Sequence, residues 1–244
     1  MKFLRRVLGG FRSKASPAAL AGKPKIQHPF SALPFQPEEV SLVVDAGAFL
    51  GHYTVAAATS YPRSRIIAFE PTQESAAQFL VNTAAYSDRV KLHPVGLSDV
   101  PGEGVIHLTT TGGANSVQEQ TQEHQRQNPH VRECGRQKIV LRTLDDCLHD
   151  TPGVIDVLKV DVEGLELKVL RGATATLART RFVILEVALS RDEDVRYQSV
   201  FELFAFLRQA HFHLYSLLDV YRFDEPQPSL GMAQFDAIFC HHDL

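Results

Sequence analysis

Short runs of apolar, β-branched residues alternate along the chain with segments of helical periodicity. Seven runs are predicted as strands, at residues 41–47, 65–71, 90–97, 154–162, 182–189, 212–218 and 235–242. Four intervening segments have the periodicity of helices, at residues 53–61, 73–86, 165–178 and 195–210. Strands that are apolar throughout and separated by helices are typical of a parallel sheet covered on both faces. The pattern therefore predicts a doubly wound α/β domain.

The alternation breaks after the third predicted strand. Residues 104–110 and 138–143 have the pattern of an added pair of strands, and the stretch between them is rich in glutamine and poor in apolar residues. A long excursion from a compact domain is usually a functional lid or a disordered insert. We therefore expect a polar insertion at about residues 110–137, with residues 118–137 forming a mobile lid over a binding site.

Charge divides the chain into two parts. Residues 1–37 contain seven of the 25 basic residues and none of the 28 acidic residues, so residues 38–244 are acidic as a whole. We expect residues 38–244 to form one domain and residues 1–37 to be a flexible segment. An acidic domain lacks the clustered bases that phosphate contacts need, so the sequence predicts no nucleic-acid partner.

The basic N-terminal segment also has an amphipathic pattern. In MKFLRRVLGGF, apolar residues recur at helical spacing with arginines between them, a pattern that favours weak contact with an anionic membrane surface. No apolar run approaches the roughly 18 residues of a membrane span. The three cysteines form no C-x-x-C pair and no disulfide framework. We therefore expect a cytoplasmic protein that is peripheral at the membrane at most.

The stretch VVDAGAFLGHYT places an acid and two glycines after the first predicted strand. Gly47 and Gly51 have the spacing G-x-x-x-G, which differs from the G-x-G-x-x-G of a dinucleotide site. Asp45 stands where a bound pyrophosphate would be repelled, and it suits a cationic group such as an ammonium or a sulfonium. An ordinary strand-to-helix turn is the alternative interpretation.

Acidic and polar residues also close the second and third predicted strands. Glu70 follows Asp45 by 25 residues, a position suited to binding the two hydroxyls of a ribose. The alternative is a solvated acid at a helix start. Ser98, with Asp99, closes the third strand and is a candidate for contacting an adenine edge.

The segment KVDVEGLE places three acids at the end of a central strand. Asp161, Glu163 and Glu166 are expected at the cleft or its rim, because ligands of open α/β sheets bind at the carboxyl ends of the strands. Capping of the following helix explains Glu166 and, less well, Glu163. Asp161 and Glu163 are expected at the rim of the sheet, where near-isosteric replacement leaves the fold intact.

Over about residues 42–240 the chain resembles the FkbM family of S-adenosylmethionine-dependent methyltransferases. The resemblance rests on the order of seven segments: VVDAGAFLGHYT, AFEP, GLSD, RTLDD, LKVDVEGLELKVLRGA, ILEV and FDAIF. It implies the class I methyltransferase fold, a Rossmann-like, seven-stranded, mostly parallel sheet with helices on both faces and an antiparallel last strand. It also implies O-methylation, commonly of a sugar or polyketide hydroxyl.

The resemblance assigns roles to residues by position. Asp45, Gly47 and Gly51 would line the S-adenosylmethionine turn, Glu70 would bind the ribose, and Asp161 and Glu163 would lie beside the transferred methyl group. This chain departs from the family pattern at one position of the turn, where Phe49 stands in place of a frequent asparagine.

The chemistry that these residues imply leaves several points open. A hydroxyl acceptor must lose a proton, which Asp161, Glu163 or a histidine such as His52 could take. A divalent cation held by paired carboxylates is possible and would lower the hydroxyl pKa. The expected acceptor is a small molecule, sugar or glycolipid. The alternatives are another Rossmann-type enzyme such as a dehydrogenase, or a non-catalytic S-adenosylmethionine-binding or interaction module.

Overall fold

The computed structural model describes residues 29–118, 131–189, 200–222 and 233–244. Most of the flexible segment predicted at residues 1–37 lies outside the described residues. So does most of the lid predicted at residues 118–137, together with the first part of the helix predicted at 195–210. No helix among the described residues is long and apolar enough to cross a membrane.

Within these described residues, ten strands form two sheets. They are β1 (Leu42–Ala46), β2 (Arg65–Phe69), β3 (Val90–His93), β4 (Gly96–Leu97), β5 (Gly102–Thr109), β6 (Glu133–Arg142), β7 (Ile155–Val160), β8 (Thr180–Leu189), β9 (Phe212–Arg222) and β10 (Ala233–His241). The main sheet has seven strands in the order β3-β2-β1-β7-β8-β10-β9. The pairs from β3 to β8 are parallel, and β10 is antiparallel to both β8 and β9. The predicted seven-stranded, mostly parallel sheet with an antiparallel last strand is confirmed.

Helices cover both faces of the main sheet. They are α1 (His52–Ser60), α2 (Gln73–Asn82), α3 (Leu144–Leu148), α4 (Glu166–Arg171), α5 (Thr174–Leu177) and α6 (Val200–Gln209). Side chains alternate along β1, so that Val43 joins a core with α1 while Val44 joins a core with α4, α5 and α6. All six residues of β7 are buried, as expected for a central parallel strand covered on both sides.

The helix predicted at residues 165–178 is two helices, α4 and α5. Gly172 ends α4, and a Cβ at this position would lie 2.3 Å from the carbonyl oxygen of Ser98. The chain at Gly172 therefore lies against the backbone of the segment after β4. The periodicity of the sequence carries no sign of this contact, because Ser98 lies more than 70 residues away.

The second sheet has three strands in the order β4-β6-β5. The third predicted strand, residues 90–97, is divided around Pro94 into β3 in the main sheet and β4 in this second sheet. A proline has no N–H to donate to a ladder, so it favours such a division. The added pair of strands is confirmed as β5 and β6. Residues 133–137, expected in the polar insertion, instead belong to β6 and pair with β5.

Candidate active site

A cleft lies at the carboxyl ends of β1, β2, β7 and β8 and encloses about 210 Å³. The main sheet contributes its polar lining, which includes Gly47, Glu70, Asp161, Glu163 and Glu186. The second sheet and the segment leading into it contribute an apolar wall, which includes Val95, Leu97, Ile106, Ile139 and Leu141. We call the part around Asp161, Glu163 and Glu186 the acidic end, and the part around Glu70 and the apolar wall the apolar end.

The turn between β1 and α1 requires glycine at two positions. Gly47 has φ +88°, and a Cβ there would lie 1.8 Å from the carbonyl oxygen of Asp161. The turn after β1 thus packs directly against the turn after β7. Gly51 has φ +81°, and its Cβ would lie 2.8 Å from Cδ2 of Phe79. Gly51 is not among the lining residues, so it acts on the cleft only through the shape of the turn.

Asp45 lies beneath the cleft rather than in its wall. Its side chain is fully buried, and its Oδ2 accepts a hydrogen bond from Oγ1 of Thr54 at 2.6 Å. Its Oδ1 has no hydrogen-bond partner among the described residues. Burial raises the pKa of Asp45, and the charge of Lys159 and the Thr54 bond oppose that shift. The cation that Asp45 faces in this structure is therefore Lys159.

Glu70 lies at the carboxyl end of β2 and lines the cleft. Its Oε1 accepts hydrogen bonds from the N–H of Thr72, at 2.8 Å, and from the Thr72 hydroxyl. Its Oε2 accepts one from the N–H of Phe49 at 3.1 Å. Burial raises the pKa of Glu70, and the bonds from Thr72 and Phe49 lower it. A carboxylate has about four acceptor positions, so Glu70 keeps capacity at Oε2 and fits the predicted ribose contact.

Ser98 is buried and is not among the residues that line the cleft. Its hydroxyl donates to Oδ1 of Asp99 at 3.0 Å, and its backbone packs against Gly172. The residues of this region that do line the cleft are Val95 and Gly96. The geometry therefore gives Ser98 a packing role and places Val95 and Gly96 where the sequence predicted an adenine contact.

A partly buried ion pair lies at the acidic end. The ammonium of Lys159 is 2.7 Å from Oδ2 of Asp161 and 4.7 Å from the ring centroid of Tyr53. Burial opposes the charge of Lys159, but Asp161 and Asp45 together raise its pKa above the ordinary value. Burial alone would raise the pKa of Asp161, yet the Lys159 charge and a hydrogen bond from Glu186 hold it below its usual range. Asp161 is therefore a stable carboxylate and a weak base.

Glu163 and Glu166 have different roles in the turn after β7. Glu163 lines the cleft with φ +54°, and its carbonyl accepts a hydrogen bond from Oγ of Ser116 at 2.8 Å. Glu166 is buried, and its Oε1 accepts from the N–H groups of Gly164 and Val162 at 3.0 and 3.3 Å. Glu166 thus lies in the first turn of α4 and binds the N–H groups of the preceding turn, while Glu163 lines the cleft.

Glu186 is a residue of the cleft that the sequence interpretation missed. It lies in β8, in the segment ILEV. One of its carboxylate oxygens lies within 4.8 Å of a carboxylate oxygen of Asp161 and of one of Glu163. Burial and the charge of Asp161 raise the pKa of Glu186 well above its ordinary value. The available signal was an acid within an otherwise apolar strand, which is rare unless the acid is paired or functional.

The acidic end does not require a metal ion to balance its charge. Lys159 already neutralises Asp161, and burial and the charge of Asp161 raise the pKa of Glu186, which opposes the loss of a proton that a metal ligand needs. We therefore assign no metal ligand among the described residues, and the divalent cation stays a prediction from the sequence. His52 is exposed and is not among the lining residues, so the cleft offers carboxylates rather than this histidine as bases.

Phe49, the position where the turn departs from the family pattern, joins the two walls of the cleft. It has φ +47°, and its ring faces Gly112 and Gly113 in the segment after β5. A Cβ at Gly112 would lie 3.1 Å from this ring. The aromatic side chain thus replaces a polar contact by packing between the turn after β1 and the second sheet.

The strand order, the antiparallel β10 and the glycine turn beside Glu70 define a class I S-adenosylmethionine-dependent methyltransferase fold. The FkbM methyltransferase domain matches residues 45–215. This chain belongs to the FkbM methyltransferase family.

A solved structure and two curated proteins illustrate the similarity. The crystal structure of methyltransferase FkbM from Methylobacillus flagellatus superposes with a TM-score of 0.53 at 16% identity, covering 84% of this chain and 44% of that chain. Methyltransferase 1 of Beauveria bassiana is 29% identical over 147 residues, or 54% of this chain. 2-O-methyltransferase NoeI of Sinorhizobium fredii is 31% identical over 133 residues, or 51% of this chain. The chain spans 58% and 54% of the lengths of these two relatives.

Proposed function

We propose that this protein is an O-methyltransferase that transfers the methyl group of S-adenosylmethionine to a hydroxyl of a small molecule, sugar or glycolipid. The observation that carries the proposal is the cleft itself. It holds a carboxylate suited to a ribose at one end. At the other end it holds three acidic side chains, which come from the turn after β7 and from β8.

Glu70 and the glycine turn would hold the cofactor. Glu70 accepts the ribose hydroxyls, and Gly47 lets the turn after β1 approach the ligand without a side chain in the way. Val95, Ile139 and Leu141 offer an apolar surface to the adenine of the cofactor. When bound, S-adenosylmethionine supplies an electrophilic methyl group on a positively charged sulfur.

The acidic end would receive the acceptor. Methyl transfer needs the acceptor oxygen about 3 Å from the methyl carbon and in line with the carbon–sulfur bond, so binding and orientation contribute much of the rate. Asp161 is held as a carboxylate by Lys159 and can accept a hydrogen bond from the acceptor. Its lowered pKa makes it a poor proton acceptor, so Glu163 and Glu186 are the better candidates to take the proton.

The relatives support oxygen as the methylated atom. The Sinorhizobium fredii relative is named a 2-O-methyltransferase, and the similarity covers about half of each chain. A carboxylate-lined acceptor region suits a hydroxyl, since a carboxylate can both orient the O–H group and receive its proton.

Calorimetry with three ligands tests the proposal. S-adenosylmethionine and S-adenosylhomocysteine should bind to the purified protein, and NAD⁺ should not, because a pyrophosphate would meet the acidic residues around the glycine turn. Binding of NAD⁺ in preference to the methyl donor would show that the protein is a different Rossmann-type enzyme.

Turnover separates an enzyme from a binding module. Formation of S-adenosylhomocysteine is measured with a panel of sugars, glycolipids and small alcohols as acceptors. Glu163→Gln should lower the rate with an active acceptor by about 10²-fold if Glu163 takes part in the proton transfer. Glu103→Gln, an exposed change in β5, is the matched control. Binding of the cofactor without methylation of any acceptor in the panel would favour the non-catalytic module.

A further inference from the structure

Glu186 lies at the boundary between the parallel strands of the main sheet and its antiparallel strands. It belongs to β8, pairs in register with Asp236 of the antiparallel strand β10, and lines the cavity. Its carboxylate shares one small space with those of Asp161 and Glu163. Glu70, the candidate ribose ligand, lines the same cavity. A charged group bound in this cleft therefore acts on Glu186 through little intervening solvent.

Several charges act on Glu186 from the neighbouring strands. Lys159, Asp161 and Glu163 come from β7 and the turn after it, and Asp236 of β10 lies opposite Glu186 in the strand register. Burial and the acids raise the pKa of Glu186, against the smaller effect of Lys159. In the ligand-free protein this shift favours the protonated form of Glu186, and the hydrogen bond between Glu186 and Asp161 lowers the pKa of Asp161.

Extending the proposed function, on which this inference rests, we propose that Glu186 is the proton acceptor of the reaction. It loses its own proton when the cationic methyl donor enters the cleft, and it takes the acceptor's proton as the methyl group is transferred. The positive sulfur favours the charged form of a nearby carboxylate, just as a neighbouring acid disfavours it. The neutral product, S-adenosylhomocysteine, lacks this effect.

The step balances in atoms and charge. A lone pair of the acceptor oxygen forms the new O–C bond, and the electron pair of the breaking C–S bond stays on sulfur. The hydroxyl proton moves to the carboxylate of Glu186. One positive and one negative charge disappear together, so the cleft ends the step with the same net charge. Loss of the positive sulfur restores the high proton affinity of Glu186 as its proton arrives.

Glu186 suits this role better than the other two acids. Asp161 is bound to Lys159 at 2.7 Å, and this ion pair already holds it as a carboxylate. Glu163 lies on the turn at the end of the cleft, outside any strand, and its backbone is tied to Ser116. Glu186 alone among the three is held in a strand, and its pKa is raised by burial and then by the neighbouring acids.

Proton release on ligand binding tests the inference without an acceptor. Binding of S-adenosylmethionine and of S-adenosylhomocysteine is measured at pH 7 by calorimetry in buffers of different ionisation enthalpy, which gives the number of protons released. The wild type should release about 0.5 to 1 proton more with the methyl donor than with the product. Glu186→Gln, which keeps a hydrogen-bond donor toward Asp161, should bind both ligands and lose that difference.

Two further variants complete the experiment. Glu186→Asp keeps a titratable carboxyl and should restore part of the difference, and Glu202→Gln, an exposed change in α6, should leave it unchanged. Equal proton release for both ligands in the wild type overturns the inference, and so does a difference that persists in Glu186→Gln. If the wild type binds neither ligand, the proposed function fails first, and the inference fails with it.

Discussion

The two ends of the cleft are built on different physical principles. At the acidic end, the buried Lys159 pairs with Asp161 beside Glu186, and charge compensation holds the side chains in place. At the apolar end, Glu70 is held by hydrogen bonds from Thr72 and the backbone of Phe49, beneath an aliphatic wall. Ligand binding at the acidic end should therefore depend on the charge of the ligand, and binding at the apolar end mainly on its shape.

This difference between the two ends should fix the orientation of a ligand in the cleft. A ligand with a flat apolar part, two hydroxyls and a positive charge matches the apolar wall, Glu70 and the acidic end in turn. The two ends meet at Gly47, where the turn after β1 lies against Asp161. Changes at this junction should have the largest effects, and changes at one end should leave the other intact.

Gly47→Ala should have the largest effect on stability, because a side chain here would push apart the turns that join the two ends of the cleft. A Cβ 1.8 Å from a backbone oxygen, at φ +88°, cannot be accommodated without moving one of the two turns. We expect a loss of more than about 4 kcal/mol in the free energy of unfolding, or no folded protein. Gly153→Ala is the control: Gly153 has φ +94° and no atom within 4 Å of its Cβ position, so only about 1 kcal/mol of backbone strain is expected. Similar losses for both variants in chemical denaturation would contradict the close contact.

Asp161→Asn should destabilise the acidic end. The sequence placed Asp161 at a rim where this change leaves the fold intact, but the side chain is the partner of Lys159, whose own side chain is only 8% exposed. Removing one partner leaves the buried charge of Lys159 less well compensated, at a cost of about 2–4 kcal/mol in unfolding free energy. The double variant Lys159→Met, Asp161→Asn should recover part of this loss. A single variant as stable as the wild type would mean that the pair contributes nothing to the fold.

Glu70→Ala should act on the apolar end alone. Loss of hydrogen bonds to a ribose should weaken binding of both S-adenosylmethionine and S-adenosylhomocysteine by about 1–3 kcal/mol, measured by calorimetry. The weakening should be equal for the two ligands, because Glu70 lies away from the sulfur. Glu74→Ala, an exposed change in α2, is the control. Unchanged affinity in Glu70→Ala would exclude the ribose role.

The smallest expected effect is in the pH dependence of stability. Because the folded-state pKa of Glu186 is raised, its protonated form contributes stability that is complete below its ordinary pKa and is lost as pH rises through the folded value. Glu186→Gln cannot lose that proton, so its stability relative to the wild type should increase between pH 5 and pH 9, by about 1 kcal/mol or more. Thermal unfolding across this range measures the trend. Parallel curves for the two proteins would show that Glu186 has an ordinary pKa.

Local patterns in the sequence were sufficient for the framework of this protein. An apolar run signals a buried strand wherever it lies, so the seven strands of the main sheet were predictable. The same holds for residues that directly follow a strand, since strand ends in a parallel sheet share one edge. Gly47, Glu70, Asp161 and Glu163 were found in this way, and all four line the cleft.

Contacts between distant segments were decided only by the tertiary structure. The burial of Asp45 and Ser98, the division of α4 from α5 at Gly172, and the continuation of β6 through residues 133–137 all depend on chain that is remote in sequence. The charge state of the acidic end depends on β8 lying beside β7, which brings Glu186 to Asp161 and Lys159. Sequence determines which residues end each strand, but a pKa depends on the distances between side chains and on their burial, and only the folded chain sets these quantities.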